Sequence, residues 1–268
     1  MMNLQPKRPL SHHSGNSTMK KSSGKVRLVP DEGIDIRNLK LRAAQEFVDT
    51  CEHWMRGRKL RATRRWNMNA WAAHLETAPL ADGVNPTFDP RHNRTPWGDA
   101  FWIAVQDPAG TVVGCVATRL FVTEDFMDLV GSLRLWYDPV PEVFQETRSA
   151  RPPLLQRVSG RVSHVGGLWV HPACRGDSLP YLLVHLARLM AVDQFRSGWE
   201  TGVTFEKLAF QPRIRTSYGF EFVVPCFDDY FPPTGRNERI YLNYSRPHHI
   251  LEILPKCIES LTKAPTVA

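Results

Sequence analysis

The chain has 268 residues, 42% hydrophobic and 23% charged, a balance that fits a folded protein and excludes global disorder. No apolar run approaches the ~20 residues that a membrane-spanning helix requires. The 34 basic residues outnumber the 27 acidic ones and leave a net charge of +7. That charge suits a polyanionic ligand such as nucleic acid, anionic lipid or a nucleotide, without identifying one.

Residues 1–25 are polar, hold Pro6, Pro9, Gly15 and Gly24, and have little to bury, which predicts a disordered tail. Residues 26–268 are then read as one domain. Val26 to Pro30 reads as a short strand ended by proline. From Ile36 to Leu75, Leu39, Ala43, Phe47, Cys51 and Trp54 recur at helical spacing and predict an N-terminal helical region of one or two helices. A Pro- and Asn-rich connection from Pro79 to Gly98 leads to a β-hairpin. Its strands are Phe101–Val105 and Thr111–Val122, and its turn is Asp107-Pro108-Ala109-Gly110. Residues 123–160 read as an irregular insertion with one helix near Phe126–Leu133.

Val162–Val170 is a strand stopped by Pro172. The strongest helix follows over 180–196, where Leu182, Leu183, Leu186, Leu189 and Met190 form a broad apolar face behind Pro180. Strands over Val203–Phe210, Phe220–Val224 and Ile240–Tyr244, a short helix over Ile214–Tyr218 and a last helix over His248–Leu261 complete a mixed α/β domain. Cys51, Cys115, Cys174, Cys226 and Cys257 form no C-x-x-C pair, and the first 25 residues hold no apolar leader. Both features predict reduced thiols and a cytoplasmic protein. His12-His13 and His248-His249 lack the i, i+4 spacing of a helical metal site, so no metal is expected. No G-x-x-x-x-G-K-S/T or G-x-S-x-G occurs, which argues against a P-loop NTPase and an α/β-hydrolase.

The segment richest in chemistry is Gly167-Leu168-Trp169-Val170-His171-Pro172-Ala173-Cys174-Arg175-Gly176-Asp177-Ser178-Leu179. It reads as a buried strand, a proline stop, an Arg-Gly turn and a helix N-terminus, whose free N–H groups suit an anion such as phosphate. The same residues also fit a plain strand-to-helix turn in which Gly176 supplies a positive φ. A second feature runs from Arg56 to Trp66, where six of eleven residues are basic and Trp54, Trp66 and Trp71 lie in or near the run. Cations among stacking aromatics suit nucleic acid or an adenine nucleotide. The competing reading is a solvated helix face whose tryptophans point into the core.

Leu168, Val170, Pro172, Arg175 and Gly176 resemble, in order, the acyl-CoA-binding motif of the GCN5-related N-acetyltransferase (GNAT) superfamily. Val113-Gly114 upstream and Tyr218-Gly219-Phe220 downstream are similar to further family features, so the resemblance spans about 88–245. It implies a mixed, mostly antiparallel sheet flanked by helices and an N-acyltransferase that uses acetyl-CoA or another acyl-CoA as co-substrate, with an amine-bearing acceptor. In this resemblance Leu168, Trp169 and Val170 line the pantetheine arm, and a backbone N–H near Trp169 or Val170 polarises the thioester carbonyl. Arg175, Gly176, Asp177, Ser178 and Leu179 cradle the pyrophosphate. The family tyrosine position is Arg215, so Tyr218 is the nearest phenol for the acid. His164 shares strand parity with Gly166 and Leu168 and is the candidate base. Ser178 and Pro180 replace two family small residues, and Asp177 adds a negative charge.

Two alternatives stand beside this one. Phe88-Asp89 and Val113-Gly114-Cys115 through Arg119-Leu120 are similar to acyl-homoserine-lactone synthases, but Gly166-Gly167-Leu168 replaces their Ser-Arg-Phe signature. A non-catalytic module of the same fold would bind a protein partner or nucleic acid through Arg56–Arg65. Deleting residues 1–25 is expected to leave the melting temperature within a few degrees of the full chain, because that segment has too little apolar content to offset ordering.

Overall fold

The computed structural model describes residues 32–34, 36, 38–145, 156–211 and 218–263. The tail, the strand expected at Val26–Pro30 and nearly all of the helix expected at Ile214–Tyr218 lie outside them. Helix α1 (Arg42–Arg56) buries Ala44, Phe47, Val48, Cys51, Trp54 and Met55, one apolar stripe along its length. The helical spacing read through Leu75 does not continue unbroken. Gly57 closes α1, Lys59 takes a left-handed φ of 56°, and strand β1 (Arg61–Arg65) precedes helix α2 (Met68–Thr77). The cause is tertiary, since β1 pairs antiparallel with β2 (Ala100–Gln106) along its whole length.

β2 is buried on both faces and so reads as a continuous apolar run. It forms the expected hairpin with β3 (Val112–Thr123). β3 pairs antiparallel with β4 (Gly160–Val170). Helix α4 (Leu179–Phe195) then crosses to β5 (Trp199–Phe205), which lies parallel to β4. The expected strand over Val203–Phe210 therefore starts earlier and yields to a helical turn, α5 (Glu206–Ala209). β6 (Phe222–Phe231) and β7 (Arg236–Ser245) extend beyond their expected apolar cores. Their outer ends carry charged cross-strand pairs such as Asp228 opposite Arg239, which mask the alternation. Helix α6 (Pro247–Lys263) closes the described chain.

The seven strands form one sheet in the order β1-β2-β3-β4-β5-β7-β6, antiparallel except for β4–β5. This is the mixed, mostly antiparallel sheet that the resemblance implied. On one face α1, α4 and α6 pack on Phe101, Ile103, Leu120 and Val165. On the other, α2 and Phe88 cover Trp102 and Trp169, while Trp136 and helix α3 (Phe126–Gly131) join Phe227 and Tyr244. The segment read as an irregular insertion thus supplies core. No helix among the described residues is long and apolar enough to cross a membrane.

Three groups enclosed by this packing make stability depend on pH. Burial lowers His164 and His185 to about 3, helped by Arg119 and Arg188 respectively. Burial pushes Glu200 up to about 7 against the pull of Arg188. Each histidine contributes stability above its ordinary value of 6.5 that is lost as pH falls toward 3. Glu200 runs the other way, gaining as pH falls from 7 to its ordinary 4.5. His74, lowered by partial burial and Arg65, adds to the histidine contribution. Stability is therefore expected to fall as pH drops below 6.5 and more steeply below 4.5, where the Glu200 gain is complete. Thermal melts across this range are expected to show that fall.

Candidate functional site: the opening between two parallel strands

The β4–β5 ladder has four pairs, from Val162–Trp199 to Val165–Gly202, and then stops. β4 continues to Val170 and β5 to Phe205, so the facing edges of two interior strands run on without pairing each other. Burial follows the parting. Residues 162–165 and 199–202 are buried, while 166–168 and 203–205 are half-buried.

A bulge marks the point of divergence. Ala117 pairs with Gly166 and Cys115 with Trp169, which sets Gly167 and Leu168 against the single residue Val116. Gly167 has a φ of +59°, and a Cβ there would stand 2.3 Å from Cζ2 of Trp71. A Cβ on Gly166 would stand 2.8 Å from Cε2 of Phe88. The two glycines are therefore seats for aromatic rings from the opposite layer.

The remaining loop residues follow in order. Trp169 is buried and donates its indole N–H to the Pro79 carbonyl at 3.1 Å. Arg175 donates from Nε to the Val170 carbonyl at 3.1 Å, tying the loop back to β4. Gly176 has a φ of +93° with open space around its Cα, which satisfies the turn reading. Leu179 is buried against the core and Pro180 lies in the first turn of α4.

Asp177 is the informative member. Its Oδ1 accepts the Ser178 N–H at 2.7 Å, and its Oδ2 accepts from Arg58 Nε at 2.9 Å. Arg58 in turn lies 3.8 Å over the Trp54 ring. The chain's own carboxylate thus takes one of the free donors beside the α4 N-terminus and pairs with the basic run.

The rest of that run is similarly engaged. Arg64 pairs with Glu32, and Arg65 donates to Gln106 at 2.7 Å. Trp54 and Trp71 are buried and Trp66 is half-buried, as that reading expects of the tryptophans, but Arg61–Arg65 is a strand and not a helix face, and Arg64 is buried. Arg56, Lys59 and Arg61 are exposed.

The two candidate catalytic side chains occupy different places. His164 lies in the paired half of the ladder, fully enclosed and stacked against Phe88 and Phe126. Thr201 gives its one hydroxyl proton to the Ser163 carbonyl, so it accepts from His164 Nδ1 at 2.9 Å. Nδ1 therefore carries the proton, and the bare Nε2 has no hydrogen-bond partner. With its ring enclosed and burial lowering its basicity to about 3, His164 has the environment of a core residue. Tyr218 is half-buried, its carbonyl accepts from Arg188, and burial raises its phenol above the ordinary value.

Sequence reasoning missed a buried ion pair between α4 and β5. Arg188 Nε donates to Glu200 Oε2 at 2.6 Å, and both side chains are at most 2% exposed. The signal was present, because Arg188 is a lone cation between Leu186 and Leu189 on an apolar helix.

No family model matches this sequence, and no curated protein matches it. Among solved structures, the chain is similar to NAA60 of Arabidopsis thaliana in complex with acetyl-CoA. The identity is 10% and the TM-score 0.42, over 70% of this chain and 99% of that one. It is also similar to the dodecameric spermidine N-acetyltransferase of Vibrio cholerae, at 10% identity and a TM-score of 0.34. That match covers 56% of this chain and 66% of that one. The strand order, the parting of β4 and β5 and the bulge are observed in this chain itself.

Gly167→Ala is expected to lower stability by about 2–4 kcal/mol, because a left-handed residue would carry a Cβ into the Trp71 ring. A thermal melt reads the loss directly.

Proposed function

We propose that the chain is an acyl-CoA-dependent N-acyltransferase, carrying an acyl group, acetyl in the simplest case, to an amine of a small molecule or protein. The observation that carries this reading is the β4–β5 ladder that stops after four pairs and leaves two strand edges facing an opening. Unpaired backbone N–H and C=O groups inside a sheet demand partners, and an extended chain bearing amides supplies them as an added strand does. The pantetheine arm of CoA is such a chain.

The residues present suit that arm and suit the pyrophosphate less well. Leu168, Trp169 and Val170 form the edge that would hold the arm, with Arg175, Gly176, Asp177, Ser178 and Leu179 beneath the pyrophosphate. Asp177 holds the Ser178 N–H and Arg58 for itself, and Pro180 has no N–H to offer. Bound acyl-CoA supplies a thioester carbonyl that is already activated toward an amine. A backbone N–H near Trp169 or Val170 would polarise the carbonyl oxygen. The amine nitrogen would bond to the carbonyl carbon as the C–S bond breaks, its surplus proton passing to solvent water. Tyr218, kept protonated by its burial, would donate to the departing sulfur. His164, neutral and enclosed, has no part in this reading.

The loop tests the proposal. Asp177→Asn removes the carboxylate charge and releases Arg58, and Pro180→Ala restores one N–H. A hydrogen bond to a charged acceptor is worth roughly 1.5–3 kcal/mol, partly offset by losing a proline that preorganises the helix start. The double variant is expected to bind acetyl-CoA about tenfold or more tightly by isothermal titration. Unchanged or weaker binding in a folded double variant would remove the pyrophosphate from this turn.

A further inference from the structure

The β4–β5 opening has a floor. Gly202 is the last residue of β5 to pair with β4. A Cβ there would stand 3.3 Å from the Val165 carbonyl oxygen and 3.5 Å from Cζ of Phe220. The tip of the Phe220 ring therefore lies within van der Waals contact of where a Cβ at 202 would be, beside the last pair before the strands part. Phe220 is half-buried and packs against the core beneath α4.

One cation holds the ring there. The Arg188 guanidinium lies 4.1 Å over the Phe220 ring. Its Nη1 donates to the carbonyls of Tyr218 at 2.5 Å and Gly219 at 3.3 Å. Its Nε donates to Glu200 Oε2 at 2.6 Å, and its Nη2 to Ser245 Oγ at 3.2 Å. A single side chain thus ties α4, β5, β7 and the 218–220 segment together. The turn itself demands glycine, since Gly219 has a φ of +58° and a Cβ there would stand 2.6 Å from Ile253 Cδ1.

A buried ion pair is a poor source of stability, because desolvating both charges offsets most of their attraction. A guanidinium with four of its five donors engaged does fix geometry, because those donors are set in a rigid fork. Here the geometry it fixes is the position of one aromatic ring at the closed end of the opening.

We propose that Phe220, clamped by Arg188, limits the length of the acyl group admitted between β4 and β5, so that the site takes short groups such as acetyl and excludes longer ones such as hexanoyl. This inference rests on the acyltransferase reading. Phe220 is the specificity-determining side chain, and Arg188 is a positioning residue that acts through it.

Isothermal titration of the full chain with acetyl-, butanoyl- and hexanoyl-CoA tests the floor without relying on turnover. The wild type is expected to bind acetyl-CoA at least tenfold more tightly than hexanoyl-CoA. In Phe220→Ala the ratio is expected to move tenfold or more toward hexanoyl-CoA, since each accommodated methylene strengthens binding roughly fourfold. Phe220→Leu is expected to shift the ratio part of the way, and it decides the matter if the alanine variant does not fold. Arg188→Lys keeps the charge but loses the fork, and is expected to broaden the chain-length profile in a protein that still melts cooperatively. A wild type that binds hexanoyl-CoA as well as acetyl-CoA, or a ratio unmoved in the folded Phe220 variants, overturns the floor alone. If the wild type binds none of the three, the acyltransferase reading falls and the floor with it.

Discussion

Two parallel strands in the middle of the sheet stay paired for four residues and then separate, and much of the molecule is arranged around that separation. A parallel pair normally continues until one strand ends, because each unpaired N–H or C=O is costly away from water. Here both strands continue, each secured on its far side by an antiparallel partner, β3 for β4 and β7 for β5. The sheet can therefore open at its centre without losing its outer strands.

The residues at the opening are chosen for what they leave out. Gly166, Gly167 and Gly202 have no Cβ where Phe88, Trp71 and Phe220 respectively come close. Three aromatic rings thus approach the backbone of the two parting strands. One consequence is that the bulge in β4 is over-determined. The added residue, the positive φ and the ring contact all occur at Gly167 and cannot be changed independently.

Charge is distributed with the same economy. On the α4 side of the sheet, Arg188 and Glu200 are buried together, and Arg188 gives further donors to backbone carbonyls and Ser245. At the start of α4, Asp177 accepts the Ser178 N–H and pairs with Arg58, which stacks on Trp54. The basic run that suggests a polyanion surface in the sequence thus commits part of its charge to internal partners. The positive end of α4 meets a carboxylate that the chain itself supplies.

The sequence by itself determined the elements whose signal is local. The apolar run of β2 and the Asp107–Gly110 turn identified the hairpin, and Leu182, Leu183, Leu186 and Leu189 identified α4. The order Leu168, Val170, Pro172, Arg175, Gly176 located the strand-to-helix turn within the candidate site. Only the tertiary structure decided that Arg61–Arg65 is a strand, since its pattern is polar and its stabilisation comes from pairing with β2. The parting of β4 from β5 is likewise absent from local sequence. It depends on strands more than thirty residues apart and on rings delivered from α2, from Phe88 and from Phe220. His164 shows why a residue type alone was insufficient. A histidine one pair short of the apex looks in sequence like one at the opening, and only the packing of Phe88 and Phe126 about its ring decides that it stays neutral and enclosed.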